Sequence, residues 1–384
     1  MRVLFTFIGG LGHFYPLEPI ARAVAADGHQ VAVACSAGLV DRVEALGLVA
    51  FATSPARPPE AGPPTRDLTP LEPVDREASE LEFAENFARK GARRHATAVQ
   101  KHLRAWQPDL VVRDEADLGS AVAAEVLGVP TATVLVLAAG MLVRPELVGP
   151  PLADLRAEHG LPADPGLTIL GRGLVLSPFP PSFRDPASPV ALPETTLHFR
   201  SGAPRLRVEL PRARRRVYVT LGTVFNTGSG DLMERLLAGL GGLDADVIMT
   251  VGRDLDPVDL GPQPPHVRVE RFVPQGEVLP EADLVVSHGG SGSLVATLAH
   301  GLPSVLLPLG ADQPHNASRA EELGLALTLD AATVSPESIR RAAETALYDE
   351  PMRRRARAVA REIDALPGVE AVLPLLEALS GSRR

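Results

Sequence analysis

The sequence feature that most restricts the possible folds is an alternation of short β-branched segments with helical segments. The alternation runs through residues 1–135 and begins again at about residue 216. Repetition of strand, helix and strand predicts parallel βαβ units, with helices covering both faces of each sheet. A chain of 384 residues suits two such domains, because one domain typically holds about 100–200 residues.

Each series can be written as a set of strand and helix ranges. In the first, strands are predicted over 3–8, 31–35, 48–52, 110–113 and 131–135, and helices over 16–26, 39–46, 77–106 and 118–127. In the second, strands are predicted over 217–221, 247–251, 267–269, 284–287 and 304–307, and helices over 232–240, 293–300, 317–323, 336–348, 352–366 and 369–379. Proline-rich segments over 54–75 and 141–211 lack periodicity and are predicted to be irregular.

These ranges predict two doubly wound α/β domains joined near residues 201–215, where prolines and a run of arginines interrupt the pattern. The N-terminal domain is predicted over 1–205 and the C-terminal domain over 206–366. A C-terminal helix over 367–384 is predicted to pack back on the N-terminal domain. In open parallel sheets, ligands bind at the carboxyl ends of the strands, so candidate sites are sought there.

Charge and composition exclude several classes of protein. The formal net charge of −9 argues against broad binding to nucleic acid, which requires a basic surface. The single cysteine, Cys35, excludes an intrachain disulfide and fits a reducing compartment. The apolar run at the start of the chain ends at Gly9 and is too short for a signal peptide or a membrane span. We therefore expect a cytoplasmic protein with no membrane span.

A glycine-rich segment follows one predicted strand of the second half and precedes a predicted helix. Its glycines allow the backbone to approach an anion, its serines and histidine add donors, and the helix start supplies unpaired N–H groups. Thr223, at the end of the first strand of this half, can present its hydroxyl to the same anion. The segment lacks the lysine of a triphosphate-binding loop and therefore predicts a bound diphosphate. Its candidate residues are His288, Gly289, Gly290, Ser291, Gly292 and Ser293.

A second candidate site follows the first predicted strand of the chain. His13 lies at the carboxyl end of this strand, just before a predicted helix. A histidine, with an ordinary pKa of about 6.5, is suited to take the proton from an attacking hydroxyl group. A carboxylate can orient such a base. Asp114, just past another predicted strand, is the candidate carboxylate, with Glu115 and Asp117 as alternatives.

The motifs of the second half resemble the donor signature of family 1 glycosyltransferases, which have the GT-B fold. Their order and spacing match throughout, and the resemblance is greatest to bacterial enzymes that decorate natural products. The resemblance implies two Rossmann-like domains that face each other across a cleft. The matching segments are Arg271-Phe272-Val273-Pro274-Gln275, His288-Gly289-Gly290-Ser291-Gly292-Ser293, Gly301-Leu302-Pro303, Asp312-Gln313 and Asn316.

The resemblance also implies a role for each matching residue. Phe272 would stack on the nucleobase, the Val273 backbone would read its edge, and Gln275 would reach the ribose. Asp312 and Gln313 would bind sugar hydroxyls, and the glycine-rich segment would hold the diphosphate. The donor-binding set is then Thr223, Phe272, Val273, Gln275, His288, Gly289, Gly290, Ser291, Gly292, Ser293, Asp312 and Gln313.

The implied reaction is transfer of a sugar, which we expect to be a deoxysugar, from a dTDP or UDP donor to a hydroxyl of a small-molecule aglycone. Such inverting transfer belongs to natural-product and antibiotic biosynthesis. His13 matches the general base of the family, and Asp114 matches its orienting carboxylate.

No cofactor and no metal are implied, because a helix N-terminus would neutralise the leaving diphosphate. The segment Asp254-Leu255-Asp256 spells the DxD of metal-dependent transferases, but no other ligand lies near it in the sequence. The chain departs from the family at one position, since Ala296 stands where plant members carry a glutamate for the ribose.

Three other functions share this predicted architecture. A C-glycosyltransferase would use the same base and cleft. A sugar-nucleotide epimerase would need no acceptor pocket, whereas the loop over 54–75 and the aliphatic segment over 135–147 favour an acceptor. A non-catalytic nucleotide-sugar-binding subunit would not need His13 together with the complete donor signature. We expect a monomer or a homodimer.

Overall fold

The computed structural model describes residues 1–56, 66–202, 213–222, 226–252 and 255–381. These residues form two compact units. The first unit holds 1–56, 77–202 and 366–381, and the second holds 66–76 and the described residues between 213 and 365. No helix in these ranges is both long and apolar enough to cross a membrane.

The first unit is built on a parallel sheet whose described strands follow the order β3-β2-β1-β4-β5-β6-β7. The strands are β1 (Arg2–Thr6), β2 (Gln30–Cys35), β3 (Val49–Ala52), β4 (Leu110–Asp114), β5 (Thr131–Val134), β6 (Leu174–Ser177) and β7 (Leu197–His198). The α-helices are α1 (Leu11–Phe14), α2 (Glu18–Ala26), α3 (Val40–Glu44), α4 (Arg76–Phe83), α5 (Ala92–Trp106), α6 (Leu118–Val126) and α7 (Pro145–Glu158). A π-helical segment, Ala84–Gly91, joins α4 to α5.

Both faces of this sheet are buried because its strands carry apolar side chains at successive positions. Val3 and Phe5 of β1 belong to the hydrophobic core on one face, and Leu4 belongs to the core on the other. Successive side chains of a strand point to opposite faces, so an unbroken apolar run is the pattern expected of a strand covered on both sides. The prediction of parallel strands covered by helices on both faces is confirmed for this sheet.

The C-terminal segment of the chain belongs to the first unit. After a 3₁₀ turn (Val369–Val372), helix α14 (Leu373–Gly381) buries Leu376 in the core of this unit, together with Val372. The backbone N–H of Arg200 donates to the carbonyl of Pro367 at 2.9 Å. These contacts attach the last helix to the sheet that begins the chain.

The second unit repeats the strand order of the first. Its described strands follow the order β10-β9-β8-β11-β12-β13, and all are parallel. The strands are β8 (Arg215–Thr220), β9 (Ala245–Thr250), β10 (Val267–Glu270), β11 (Leu284–Ser287), β12 (Ser304–Leu306) and β13 (Ala326–Thr328). The α-helices are α8 (Leu232–Leu240), α9 (Gln275–Val278), α10 (Ser291–Ala299), α11 (Gln313–Glu322), α12 (Pro336–Tyr348) and α13 (Glu350–Ala365).

The domain to which residues 66–76 belong differs from the sequence prediction, which places them in the N-terminal domain. In the structure they belong to the second unit. The Arg66 guanidinium donates to both carboxylate oxygens of Glu234, at 2.6 and 2.8 Å. The backbone N–H of Asp67 donates to the carbonyl of Thr227 at 2.8 Å. These polar contacts, which leave no trace in local periodicity, attach the stretch to the second unit.

The segment over 141–211, predicted to be irregular, contains regular elements. Helix α7 begins at Pro145 and includes Pro150 and Pro151, which weakened its helical pattern in the sequence. Strands β6 and β7 hold only four and two residues, too few for a clear period. Strand β13 of the second unit is also short and was not predicted.

Each sheet has one point at which the strand order reverses direction. In the first sheet this point lies between β1 and β4, and in the second it lies between β8 and β11. The loops after two such strands run to opposite sides, so a crevice opens at the carboxyl edge of the sheet. His13 follows β1, Asp114 ends β4, and the glycine-rich segment follows β11. The candidate residues therefore lie at the two switch points.

Candidate active site

His13 lies in the short helix α1, one turn after β1, where a loop was predicted. Gly9, in the connection, has φ of +94°, a conformation that favours glycine. A Cβ at Gly9 would lie only 3.1 Å from Cδ2 and 3.2 Å from Nε2 of His13. The glycine therefore allows the turn and also leaves room for the imidazole, whose side chain is 21% exposed.

Asp114 is the carboxylate that the structure brings to His13. Its Oδ2 lies 3.4 Å from the Nδ1 of His13, and its side chain is fully buried. The carboxylate also accepts hydrogen bonds from the backbone N–H groups of Ile8, at 3.0 Å, and Asp117, at 2.8 Å. Adjacent strands β1 and β4 thus hold His13 and Asp114 next to each other.

Glu115 is turned toward the segment that follows β5. Its Oε1 accepts hydrogen bonds from the backbone N–H groups of Val136, at 2.7 Å, and Leu137. Burial raises the pKa of Glu115 to about 7, although the charge of Arg184 and these hydrogen bonds act in the opposite direction. Glu115 therefore holds the loop after β5 instead of orienting His13.

Asp117 is engaged by a buried histidine and by the start of α6. Its Oδ1 lies 2.8 Å from the Nδ1 of His95 and accepts the backbone N–H of Ser120 at 3.0 Å, while its Oδ2 accepts the Ser120 hydroxyl at 2.6 Å. Burial alone would raise the pKa of Asp117, but the charge and hydrogen bond of His95 and the bonds from Ser120 lower it to about 2. Burial opposes protonation of His95, yet the charge of Asp117 raises the pKa of its imidazole.

Close packing of two helices brings this pair together. A Cβ at Gly119 in α6 would lie 2.4 Å from the carbonyl oxygen of Ala92 in α5. Only glycine permits this approach, and it places His95 of α5 against Asp117 and Ser120. Sequence reasoning missed His95, because nothing in the local pattern of α5 distinguishes it from an ordinary core residue.

The second site begins at the end of β11, where His288 packs between two backbone segments. A Cβ at Gly222, after β8, would lie 2.7 Å from Cε1 of the His288 ring, and one at Gly290 would lie 2.6 Å from its Nε2. The ring forms a hydrogen bond with the carbonyl of Thr220, yet desolvation lowers its pKa to about 4. His288 is therefore a neutral imidazole at pH 7.

The glycine-rich segment leads directly into α10. Gly289 has φ of +85°, and Gly290 is the N-cap of the helix, which begins at Ser291. No side chain caps this end and no acidic residue lies in its first turn. The amides of the first turn, with partial positive charge, face the carboxyl edge at the switch point.

A buried polar cluster joins this segment to the start of α11. The Ser291 hydroxyl donates to Oδ2 of Asp312 at 2.5 Å. The Asn316 side chain, fully buried, donates to the Gly289 carbonyl at 3.0 Å, to the Ser291 hydroxyl at 3.1 Å and to Asp312 Oδ2 at 2.8 Å. Asn316 therefore holds three parts of the predicted donor site in register, a contact set that the motif alone did not assign.

The remaining predicted donor residues occupy the rim of the second site. Phe272 is 48% exposed, and Val273 packs against the core beneath it. Gln275 donates from Nε2 to the Ser293 hydroxyl at 3.2 Å. Gln313 is buried, and its Oε1 accepts the backbone N–H of Leu309 at 2.7 Å, which shapes the loop before α11.

Two predictions fall partly or wholly outside the described residues. Thr223 lies there, and so does Asp254 of the DxD segment. The other aspartate, Asp256, pairs with the Arg271 guanidinium and accepts the backbone N–H of Val258 at 3.1 Å, so it stabilises its own turn.

Within the described ranges, one group of side chains has the geometry to hold a metal ion, and it includes His29. His29 Nε2 lies 3.4 Å from Asp27 Oδ2 and 3.3 Å from Glu377 Oε1, while Nδ1 contacts the amino group of Met1 at 3.0 Å. This group precedes β2, at the edge of the sheet opposite to His13. It attaches the C-terminal helix to the amino end of the sheet.

Comparison with known proteins follows the same two-part division. Residues 22–222 match the family described as erythromycin biosynthesis protein CIII-like, N-terminal domain, and residues 234–379 match its C-terminal domain. The L-demethylnoviosyl transferase of Streptomyces niveus is 31% identical over 374 residues, which cover 94% of this chain and 94% of the relative. The aclacinomycin-T 2-deoxy-L-fucose transferase of Streptomyces galilaeus is 26% identical over 437 residues, which cover 100% of this chain and 97% of the relative.

Similarity to solved structures supports the assignment of the fold of this chain. The structure of spinosyn rhamnosyltransferase SpnG, complexed with thymidine diphosphate, has a TM-score of 0.77 at 24% identity and covers 98% of this chain and 100% of that chain. Two parallel Rossmann-like units of this kind constitute the GT-B fold. The chain belongs to the erythromycin biosynthesis protein CIII-like family of glycosyltransferases.

Proposed function

We propose that the protein transfers a sugar from a dTDP or UDP donor to a hydroxyl of a small-molecule natural-product aglycone, with inversion at the anomeric carbon. The sugar is expected to be a deoxysugar, as for the 2-deoxy-L-fucose transferase among its relatives. Thymidine diphosphate is the first nucleotide to test, because SpnG has been solved with it. The aglycone and the donor are substrates, and the proposal includes no cofactor.

The observation that carries this proposal is the contact between His13 and Asp114. The two side chains come from the ends of adjacent strands at a switch point, 3.4 Å apart. A carboxylate beside Nδ1 favours the tautomer in which Nε2 accepts a proton, and it stabilises the imidazolium that forms. His13 is therefore the proposed general base, and Asp114 is the proposed orienting group.

The second switch point supports binding of a nucleotide diphosphate. The first-turn N–H groups of α10 and the Ser293 hydroxyl supply hydrogen-bond donors without a lysine or an arginine in this segment, and the neutral ring of His288 packs between Gly222 and Gly290. The exposed ring of Phe272 offers a stacking surface for a base. Asp312 and Gln313 remain the proposed sugar-binding residues, with Asn316 and Leu309 holding their side chains.

The proposed step is a single displacement. His13 takes the proton of the acceptor hydroxyl while the acceptor oxygen forms a bond to the anomeric carbon. The bond from that carbon to the diphosphate oxygen breaks on the opposite face, and the electron pair leaves with the nucleotide diphosphate. Hydrogen bonds from the first turn of α10 would stabilise the negative charge that develops there. Metal-independent turnover is part of the proposal, and full activity in EDTA is the expected result.

The test is a binding screen followed by a turnover assay. Thermal shift with dTDP, UDP, GDP and ADP is expected to raise the Tm for one or both of the pyrimidine nucleotides. dTDP-glucose or UDP-glucose is then supplied with 4-methylumbelliferone and with a panel of polyketide aglycones, and products are read by mass spectrometry. An acid-labile glycoside supports O-transfer. An acid-stable product would indicate C-transfer, an isomerised donor without acceptor would indicate an epimerase, and binding without any product would indicate a non-catalytic subunit.

A further inference from the structure

A π-helical segment joins α4 to α5 and lies next to His13. The segment spans Ala84–Gly91, where the sequence pattern predicts one continuous α-helix. A Cβ at Gly91 would lie 2.5 Å from the carbonyl oxygen of Asn86 and 2.8 Å from Cδ1 of Ile8. Glycine at this position therefore permits both the wide turn and close packing on the connection after β1. π-helical turns within α-helices are rare and occur frequently at functional sites.

The π-helical segment carries Phe87, whose ring stacks on His13. The two ring centroids are 5.7 Å apart and the planes are inclined by 19°. Behind it, Phe83 of α4 stacks on Phe87 at 4.9 Å and 9°. Three rings therefore lie in one stack, with the buried Phe83 at its base and the partly exposed imidazole at its end.

Phe87 stacks on the face of the His13 ring, whereas Asp114 and Gly9 contact its edge. The Nδ1 of His13 lies 3.4 Å from Asp114, whereas an N–H···O hydrogen bond usually spans about 2.7–3.2 Å. Gly9 packs against one edge of the imidazole. A catalytic group must be held within about 0.5 Å and 10–20° of its productive geometry. Phe87 supplies a flat contact that restrains the tilt of the imidazole plane.

We propose that Phe87 is a positioning residue for His13, presented by the π-helical segment so that its ring holds the imidazole plane against Gly9 and Asp114. The inference rests on the proposed role of His13 as the base. Phe87 acts through His13 and does not need to touch the substrate.

The first experiment reads the imidazole directly and needs no substrate. Ring protons of the ten histidines are observed by NMR in the whole protein, and the His13 signals are assigned with His13→Ala. Phe87→Leu removes the aromatic ring and keeps an apolar side chain, so the His13 signals are expected to shift and broaden. Phe87→Tyr is expected to restore the wild-type positions. His13 signals that do not move in Phe87→Leu would overturn the inference.

The chain offers a matched control for this substitution. Phe51 stacks on His102 at 5.1 Å and 9°, also in the first unit but away from the switch point. Phe51→Leu removes a phenylalanine–histidine stack of the same kind. It is expected to move the His102 signals alone and to leave turnover unchanged.

Turnover separates positioning from substrate contact. With dTDP-glucose and 4-methylumbelliferone, Phe87→Leu is expected to lower kcat about 3–10-fold, the effect that one aromatic contact can supply, with KM for the acceptor unchanged and the Tm near that of the wild type. Phe87→Tyr should recover kcat. A rise in acceptor KM at constant kcat would instead make Phe87 a binding residue and overturn the inference.

A double variant distinguishes this inference from the proposed function beneath it. If Phe87 acts through the imidazole, Phe87→Leu has no further effect on turnover once His13 is alanine. If Phe87→Leu lowers turnover by the same factor in the His13→Ala background as in the wild type, the positioning role is contradicted. The assignment of His13 as the base is not affected by that outcome. Wild-type turnover of His13→Ala alone would instead remove the proposed base.

Discussion

The two switch points of this chain have the same strand order but different polar contacts. At the first, between β1 and β4, two imidazoles lie against buried carboxylates: His13 against Asp114, and His95 against Asp117. At the second, between β8 and β11, the imidazole of His288 is neutral, and hydroxyl, amide and backbone groups form hydrogen bonds with one another and with the Asp312 carboxylate. The two units share a fold, but the loops at their switch points carry different side chains.

The difference follows from what each site must do. A base for a hydroxyl group must accept and release a proton, so it needs a carboxylate that tolerates its positive form. A site for a diphosphate must supply donors, and the backbone N–H groups at a helix start do so without a positively charged side chain. Function is therefore carried by the residues placed on the fold and not by the fold itself.

The largest effect is expected at the buried pair beneath the first switch point. His95→Leu leaves the Asp117 carboxylate buried and unpaired, and removal of one partner of such a pair costs about 3–5 kcal/mol. The free energy of unfolding, measured with urea at pH 6, is expected to fall by this amount. Because the pKa of folded His95 is raised and that of Asp117 is lowered, the pair stabilises fully between about pH 4 and pH 6.5, and the contribution of His95 is lost as pH rises through its raised pKa.

Two variants act as controls for the His95 pair. Arg22→Ala breaks a surface pair with Glu18 and is expected to cost no more than about 0.5 kcal/mol. His95→Leu combined with Asp117→Asn removes both charges and should recover part of the stability, since the oxygen of the introduced amide can still accept from Ser120. A loss below about 1 kcal/mol in His95→Leu would show that the buried pair contributes little.

The next effect separates catalysis from binding. His13→Ala is expected to lower turnover by about 10²-fold or more, the contribution of a general base. Affinity for dTDP, measured by calorimetry, should remain that of the wild type, because the anion site is built from the other unit. Turnover equal to that of the wild type would exclude His13 as the base.

His288→Ala is the reciprocal test at the second switch point. The His288 ring packs against Gly222 and Gly290, so its removal takes away a support of the glycine-rich segment, and affinity for dTDP or UDP is expected to fall about 10-fold, the scale of one net hydrogen bond. The control is His266→Ala, because His266 bonds the Gly241 carbonyl at the amino end of β10, away from the switch point. Unchanged affinity in His288→Ala would remove this residue from the nucleotide site.

The fold class and the positions of the two candidate sites are largely predictable from local sequence. Strands β1, β4, β8 and β11 are short apolar runs followed by polar or glycine-rich residues, so both candidate sites could be placed at carboxyl ends of strands. The glycine-rich segment is predictable because its signal lies within six consecutive residues. The general α/β class was predictable for the same reason.

The contacts that complete the sites depend on tertiary packing. His95 reaches Asp117 only because Gly119 lets α6 approach α5, and periodicity cannot register such an approach. The choice among Asp114, Glu115 and Asp117 depends on side-chain direction at the end of β4. Helix α11 begins at Gln313, four residues before the predicted start, which brings Asn316 within reach of Ser291 and Asp312.

The smallest effect concerns the pH dependence of Glu115, the carboxylate that holds the loop after β5. The pKa of Glu115 is raised to about 7 in the folded protein, from 4.5, chiefly by burial. The stabilisation from its neutral form is therefore complete below about pH 4.5 and is lost as pH rises through 7.

Glu115→Gln removes this titration and keeps an oxygen that can accept from Val136 and Leu137. Relative to the wild type, the free energy of unfolding of Glu115→Gln is expected to increase by about 1–2 kcal/mol between pH 5 and pH 8. Glu146→Gln, at an exposed carboxylate of α7, is the control and should show no such trend. A difference between Glu115→Gln and the wild type that stays constant with pH would mean that Arg184 keeps Glu115 ionised throughout. The first switch point would then hold one more permanent charge, and its contrast with the second would be larger.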